Sequence, residues 1–243
     1  MGQELDELKD LTRGLRRRVS LSNHSDWALS DVPVAAVARP ESSHGASLAQ
    51  LDAAIHACRE CPLGATRIQA VPGTGSFEAK VIFVGEGPGF QEDHQGQPFV
   101  GRSGQLLDKI MASIGLSRTT VYIANIVKCH PMKDPANPES HGNDRPPTPE
   151  EISACRGWLE AQIRAIRPKV IVTLGAVSAR TLLNDATPIT QIRGKWRTYD
   201  PGAGFPPIKL LPTFHPAALL RNPDLKRDVW TDMKSLNEEL SRP

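Results

Sequence analysis

The chain has 243 residues, 29 Lys and Arg against 27 Asp and Glu, and a 39% hydrophobic content. That length suits one domain with an appendage, and no uninterrupted apolar run approaches the ~18 residues of a membrane span, so a membrane helix is excluded. A formal net charge of +2 excludes a chain that is basic throughout, so any surface for a polyanion has to be local. The polar, acidic start MGQELDELKD lacks the basic start and apolar stretch of an export signal, and the chain is expected in the cytoplasm, in a reducing compartment.

Residues 1–22 set Leu5, Leu8, Leu11, Leu15 and Val19 at helical spacing and contain the run Arg16, Arg17, Arg18, which predicts an amphipathic helix. Such a helix either docks a protein partner, steers the chain toward phosphates, or stays a solvated tail. The stretch 23–46 has no sustained period and reads as a flexible linker. The domain boundary is therefore set at Ser47, with residues 1–46 as appendage and 47–243 as the folded domain.

Within that domain Lys80–Val84, Val121–Val127, Lys169–Leu174 and Ile208–Phe214 are candidate strands, near-continuously apolar as strands buried on both faces are. Helical spacing appears in Ser103–Ile114 and Asp224–Leu240. Between them Thr148, Pro149 and Glu151 spell a capping box that opens a helix over Pro149–Ile166. Strand and helix in alternation predict a mainly parallel sheet covered on both faces, an α/β fold whose ligands bind beyond the C-terminal ends of the strands. The segment His130–Pro149 holds six prolines in twenty residues and is expected to be a loop, ordered or mobile.

Four cysteines stand out. Cys58 and Cys61 form a C-x2-C pair, Cys129 follows the second strand, and Cys155 lies in the capped helix. Four thiolates complete the ligand set of a tetrahedral zinc or of an iron-sulfur cluster, and spacing does not choose between them. Buried, inert cysteines are the simpler alternative, but Arg59, Pro62 and Gly64 beside the pair describe an exposed loop.

The strand ends carry the remaining chemistry. The first runs into Gly85-Glu86-Gly87-Pro88-Gly89, followed by the acidic residues Glu92 and Asp93. This is a poor phosphate loop, because proline and carboxylates replace an open helix N-terminus. Further on, Phe99 supplies an aromatic plate ahead of Gly101-Arg102-Ser103. Asn125 ends the second strand and His215 the fourth. Stacking, edge reading and a charge-stabilising donor at neighbouring strand ends are what a pocket for a planar heterocycle needs.

In order along the chain, CRECPLG, VGEGPGFQED, GQPFVGRSGQLLDKI, NIVKCHP, VTLGA, IRGKW and FHPAALLR resemble the family 4 uracil-DNA glycosylases, the iron-sulfur branch of the uracil-DNA glycosylase superfamily. The resemblance covers roughly 48–240. It implies a three-layer α/β/α sandwich, a [4Fe-4S] cluster on Cys58, Cys61, Cys129 and Cys155, and excision of uracil from single- or double-stranded DNA by a monomeric, nucleoid-associated enzyme. It further implies that Phe99 stacks on a flipped uracil, Asn125 pairs with its polar edge and His215 donates to O2. Glu92 would crowd the thymine methyl, Glu86 and Gly87 would flank the water site with Gly87 also against the base, Asp93 would be a further catalytic carboxylate, and Gly101, Arg102, Ser103 and Arg221 would contact DNA. Two departures stand beside it. Gly87 occupies the position where family 1 enzymes carry an aspartate. The loop between Cys129 and Cys155 is long, as in the covalent family X enzymes, but holds ESHGNDRPP in place of their basic stretch. The alternatives are a non-catalytic, cluster-bearing DNA-binding relative such as a polymerase accessory module, and a zinc-stabilised nucleotide-binding protein.

Overall fold

A six-stranded sheet built from β1 (Thr74–Gly75), β2 (Val81–Gly85), β3 (Tyr122–Asn125), β4 (Val170–Leu174), β5 (Arg197–Tyr199) and β6 (Ile208–Thr213) organises the computed structural model. Residues 48–242 are described; the expected N-terminal helix, the linker and the boundary at Ser47 lie outside them. The strand order is β1-β3-β2-β4-β6-β5. The four predicted strands form its parallel centre, and the two short edge strands run antiparallel.

The helices are α1 (Leu48–Ala57), α2 (Leu63–Thr66), α3 (Phe90–Gln95), α4 (Arg102–Ala112), α5 (Pro149–Ile166), α6 (Ala176–Leu183), α7 (Ile189–Ile192), α8 (Pro216–Arg221) and α9 (Lys226–Leu240), the last entered through a 3-10 turn at Pro223–Leu225. Alternation along β2 shows why three layers form. Ile82 and Val84 join the core that receives Leu51 and Ile55 of α1 and Ile152, Leu159 and Ile163 of α5. Val81 and Phe83 face the other way, toward Leu107 and Met111 of α4 and Val229, Met233 and Leu236 of α9. Every residue of β2 is buried. A strand covered on both sides has no polar face to present, which is why its sequence is apolar throughout. Full burial of each such side chain contributes about 1.5–3 kcal/mol.

The capping box of α5 forms as spelled: Glu151 N donates to Thr148 Oγ1 at 3.3 Å, and Thr148 N donates to Glu151 Oε2 at 2.8 Å. Arg145 adds a two-pronged ion pair to the same carboxylate, at 2.8 and 2.7 Å. That pair anchors the proline-rich loop, which is ordered by a bridge between Met132 and Asp144 and by the buried Asn143, whose side chain bonds Asp134 N and O. Register then brings the ligand-bearing ends together. Gly85 pairs with Asn125, and Leu174 with Thr213, so β2, β3, β4 and β6 finish at one edge of the sheet.

Candidate functional site

At that edge lies a cavity of about 690 Å³, within the usual range of ligand sites. Glu86, Gly87, Phe99, Asn125, His215 and Arg221 are among its lining residues. Its floor is tight. A Cβ built on Gly85 would stand 2.3 Å from Asn125 Oδ1 and 2.5 Å from Phe99 Cζ, so only glycine lets the amide and the ring close over the end of β2.

Asn125 is 1% exposed, and its Oδ1 has no hydrogen-bond partner among the described residues. A buried acceptor left open costs on the order of 1–3 kcal/mol and marks a place for a ligand donor. Lys128, buried beneath, donates to the Asn125 carbonyl at 2.9 Å and to Gln162 Oε1 at 2.7 Å, fixing the strand end from below.

The Phe99 ring lies 5.5 Å from the His215 ring, tilted by 32°. The backbone of Phe99 has φ +56°, left-handed for a bulky residue, at a cost on the order of 1–3 kcal/mol. Its carbonyl passes so close to Gly104 that a Cβ there would lie 1.6 Å from the oxygen.

His215 is the N-cap of α8: Ala217 N donates to its Nδ1 at 3.1 Å. Burial, reinforced by the charge of Arg221, pulls its pKa down to about 4, so the ring is neutral near pH 7. With Nδ1 accepting, the single ring proton sits on Nε2, which makes that nitrogen a donor.

The carboxylates separate. Glu86 is half-buried in the cavity wall, and burial raises its pKa. Glu92 lines the cavity but is engaged: its Oε1 accepts from Val100 N at 2.9 Å and Gly101 N at 3.0 Å, and its Oε2 from Gly89 N at 3.2 Å. Asp93, a candidate catalytic carboxylate, is not among the residues lining the cavity. It is fully buried on the far side of α3, accepting from Ile68 N and Gln69 N and standing 3.6 Å from His130 Nδ1. His130 in turn bonds Asp144 at 2.7 Å, and although burial opposes its charge, the two aspartates carry its pKa up to about 9. Asp93 thus ties α3 to the proline-rich loop. At Gly87 a Cβ would meet Val127 Cγ2 at 2.8 Å, so the wall packs tightly against the missing side chain.

Gly101, Arg102, Ser103 and Arg221 all line the cavity. The Gly101 N–H is already committed to Glu92, so it is not available to a phosphate. Some of the basic residues between 188 and 230 are spent on neighbouring carboxylates. Arg193 pairs with Asp232 and Asp228, and Lys209, at the opposite end of β6, pairs with Glu239 at 2.6 Å. His141 stands exposed against Phe90, with ring centroids 4.2 Å apart, and is not part of the lining.

The cysteines meet elsewhere. Cys58 follows α1, Cys61 precedes α2, Cys129 follows β3 and Cys155 belongs to α5; all four line one small cavity together with Ile55 and Trp158. All are free thiols. Arg67 Nη1 donates to Cys129 Sγ at 3.0 Å, and Lys128 N to Cys155 Sγ at 3.2 Å. Burial raises the Cys61 and Cys129 thiols and pushes Cys155 up to about 12, with neighbouring sulfurs adding to each. Among the described residues no three Cys, His, Asp or Glu side chains converge as ligands of a single ion. The donor set of four thiols with N–H groups aimed at sulfur fits an iron-sulfur cluster, whose ligands each take their own iron and whose sulfurs accept hydrogen bonds.

Sequence reasoning missed Arg118, which bonds the Pro98 and Phe99 carbonyls, and Arg145, which lines the cavity mouth. Arg118 grips main chain some twenty residues back, and Arg145 pairs with Glu151 from within a loop whose sequence shows no period.

A profile of the uracil DNA glycosylase superfamily matches residues 72–234. The type-4 uracil-DNA glycosylase of Archaeoglobus fulgidus is 41% identical over 76% of this chain and 88% of its own length. That of Thermotoga maritima is 42% identical over 73% of this chain and 86% of its own. A DNA polymerase of Bacillus phage SP01 is 33% identical over 68% of this chain, which corresponds to 16% of the polymerase. Among the described residues no helix is long and apolar enough to cross a membrane.

Proposed function

The chain belongs to the uracil-DNA glycosylase superfamily, with type-4 enzymes matching most of its length, and from that premise we propose that it removes uracil from DNA by hydrolysing the N-glycosidic bond. The observation that carries the reading is the open acceptor of Asn125 beside the Phe99 ring and the neutral His215. Uracil offers N3–H as a donor at the edge where cytosine, lacking that hydrogen, presents an acceptor. A base reaches this pocket only when rotated out of the stack, so the substrate is bound flipped, with the ring of Phe99 replacing a stacking neighbour.

In cleavage of the C1'–N1 bond the sugar becomes oxocarbenium-like and negative charge gathers on uracil O2. Nε2–H of His215 is the preorganised donor for that charge, and as a neutral ring it stabilises the anion by a hydrogen bond while keeping its proton. Glu86, the half-buried carboxyl of the wall, positions water next to the cationic sugar; the water oxygen bonds C1', the electrons of the broken C1'–N1 bond leave with the uracil anion, and the water gives up its proton to solvent. Glu92 acts by holding the Gly89 and Val100–Gly101 segments together beside the base pocket, as well as narrowing it. DNA phosphates contact Arg102, Ser103 and Arg221 at the mouth.

Cys58, Cys61, Cys129 and Cys155 hold a [4Fe-4S] cluster whose contribution is structural. It ties the α1–α2 segment to β3 and α5, and metal binding of this kind is folding free energy. The test uses labelled oligonucleotides carrying one uracil, thymine or cytosine, incubated with the full chain and treated with alkali. Scission at uracil alone is expected. Tight binding without scission would return the chain to a DNA-binding module of the kind suggested by its similarity to part of a phage polymerase.

A further inference from the structure

Among the described residues three non-glycine positions have positive φ: Phe99, Arg167 and Asn184. Arg167 and Asn184 are the C-caps of α5 and α6, where a left-handed residue is an ordinary helix stop. Phe99 ends no helix. Its Cβ crowds the backbone in that conformation, so the surrounding structure has to hold it there.

The bonds that do so come from two directions. Glu92 takes the N–H groups that follow, Val100 and Gly101. The carbonyls of Pro98 and Phe99 both turn to one guanidinium, Nη1 of Arg118 donating to Pro98 O at 3.0 Å and Nη2 to Phe99 O. Nε of the same side chain donates to Asp108 Oδ1 at 2.8 Å, so a carboxylate on α4 aims the fork. Arg118 sits in the turn before β3 and is not among the residues lining the cavity.

We propose that Arg118 is a positioning residue for base excision, its fork across two successive carbonyls fixing the left-handed turn that lays the Phe99 ring on the floor of the base pocket. The inference rests on the reading of that pocket as the uracil site. Without the fork, Phe99 relaxes toward ordinary negative φ and its ring leaves the plane on which the base stacks. Lysine keeps the charge but offers no planar pair of donors to bridge both carbonyls. Phosphate contacts at the mouth stay in place.

Single-turnover excision, inhibition by free uracil and affinity for uracil-free DNA are measured for Arg118→Ala, Arg118→Lys, Phe99→Ala and the double variant Phe99→Ala/Arg118→Ala. Arg118→Ala is expected to slow excision by about ten- to a hundredfold, as small misplacements of reacting groups do. Inhibition by uracil weakens in parallel, affinity for uracil-free DNA is unchanged, and Arg118→Lys falls between. In the Phe99→Ala background, Arg118→Ala has no further effect, because a residue acting through another is silent once that other is gone. Fully additive losses, or wild-type excision by folded Arg118→Ala, overturn the proposal. Should the alanine variant not fold, wild-type uracil inhibition in folded Arg118→Lys overturns it equally.

A readout free of activity separates this inference from the proposed function. With fluorophenylalanine incorporated, the 19F resonance that vanishes in Phe99→Leu belongs to position 99. It is expected to shift or broaden in the Arg118 variants, and an unchanged resonance refutes the clamp. Failure of the unmodified protein to release uracil would instead refute the excision reading, leaving the resonance to decide on the clamp.

Discussion

Replacing His215 tests two separable jobs of one ring. Nδ1 caps α8 by accepting from Ala217 N, which leaves the ring proton on Nε2 of a side chain that lines the cavity. His215→Ala removes both. Loss of an oxyanion-type donor lowers single-turnover excision about a hundred- to a thousandfold, or about 3–4 kcal/mol of transition-state stabilisation. Loss of the cap lowers folding stability by about 1 kcal/mol. His215→Asn divides the two, since an asparagine oxygen caps well but its short amide does not carry a proton to the place of Nε2. It therefore recovers the stability and not the rate. Chemical denaturation gives the first quantity, and rapid-quench release of uracil under enzyme excess gives the second. Near-normal excision by folded His215→Ala, or restored excision in His215→Asn, would refute the reasoning and move the leaving-group role to Glu86. The pH dependence follows from the same ring. Its folded pKa of about 4 lies below the ordinary 6.5, so the unfolded chain binds the extra proton between these values. The stability it contributes is full above pH 6.5 and is lost as pH falls toward 4, by up to about 3 kcal/mol. Excision should show no histidine-dependent fall until that lower limit, and a fall centred near 6.5 that is absent from His215→Asn would contradict a neutral ring.

Asn125→Ala should narrow the preference for uracil over cytosine more than it slows uracil release, since an unread edge loses discrimination first; competition between the two oligonucleotides measures it, and an unchanged ratio would argue against edge reading. Cys155→Ser should lower iron content and broad visible absorbance together with the melting temperature, whereas zinc without iron in protein made under iron-replete conditions would sink the cluster. A chain starting at Ser47 should retain iron and uracil release; loss of turnover without loss of folding would show that residues 1–46 belong to the working domain.

The elements legible in the sequence were those whose burial dictates composition. The four central strands have both faces covered and so show as apolar runs, and α5 announces itself through Thr148, Pro149 and Glu151. The edge strands Thr74–Gly75 and Arg197–Tyr199 are two and three residues long and largely unburied, too short to carry a period. Helix α3 is hidden in FQEDHQ, whose cap is supplied by a glutamate within it and not by a preceding side chain. Phe99, Asn125 and His215 were recognisable because each stands at or beside a strand end with an informative side chain. Asp93 was misassigned because neighbours in a chain were read as neighbours in space: one residue on from Glu92, a helix has turned by about 100°, which sends one carboxylate to the cavity and the next into the interior. Arg193 and Lys209 likewise cannot be judged from the sequence alone, since their charges are spent on Asp232 and Glu239. Arg118 had no signal at all, because a side chain that grips main-chain carbonyls twenty residues away leaves no pattern in either segment.

The position of uracil itself tests the central claim most directly. Diffraction from crystals of the full chain with abasic DNA and free uracil should place the base face to face with Phe99, N3–H within hydrogen-bonding distance of Asn125 Oδ1 and O2 toward His215 Nε2. Uracil bound with that edge turned away from Asn125, or lodged outside the cavity at the ends of β2, β3 and β6, would contradict the account.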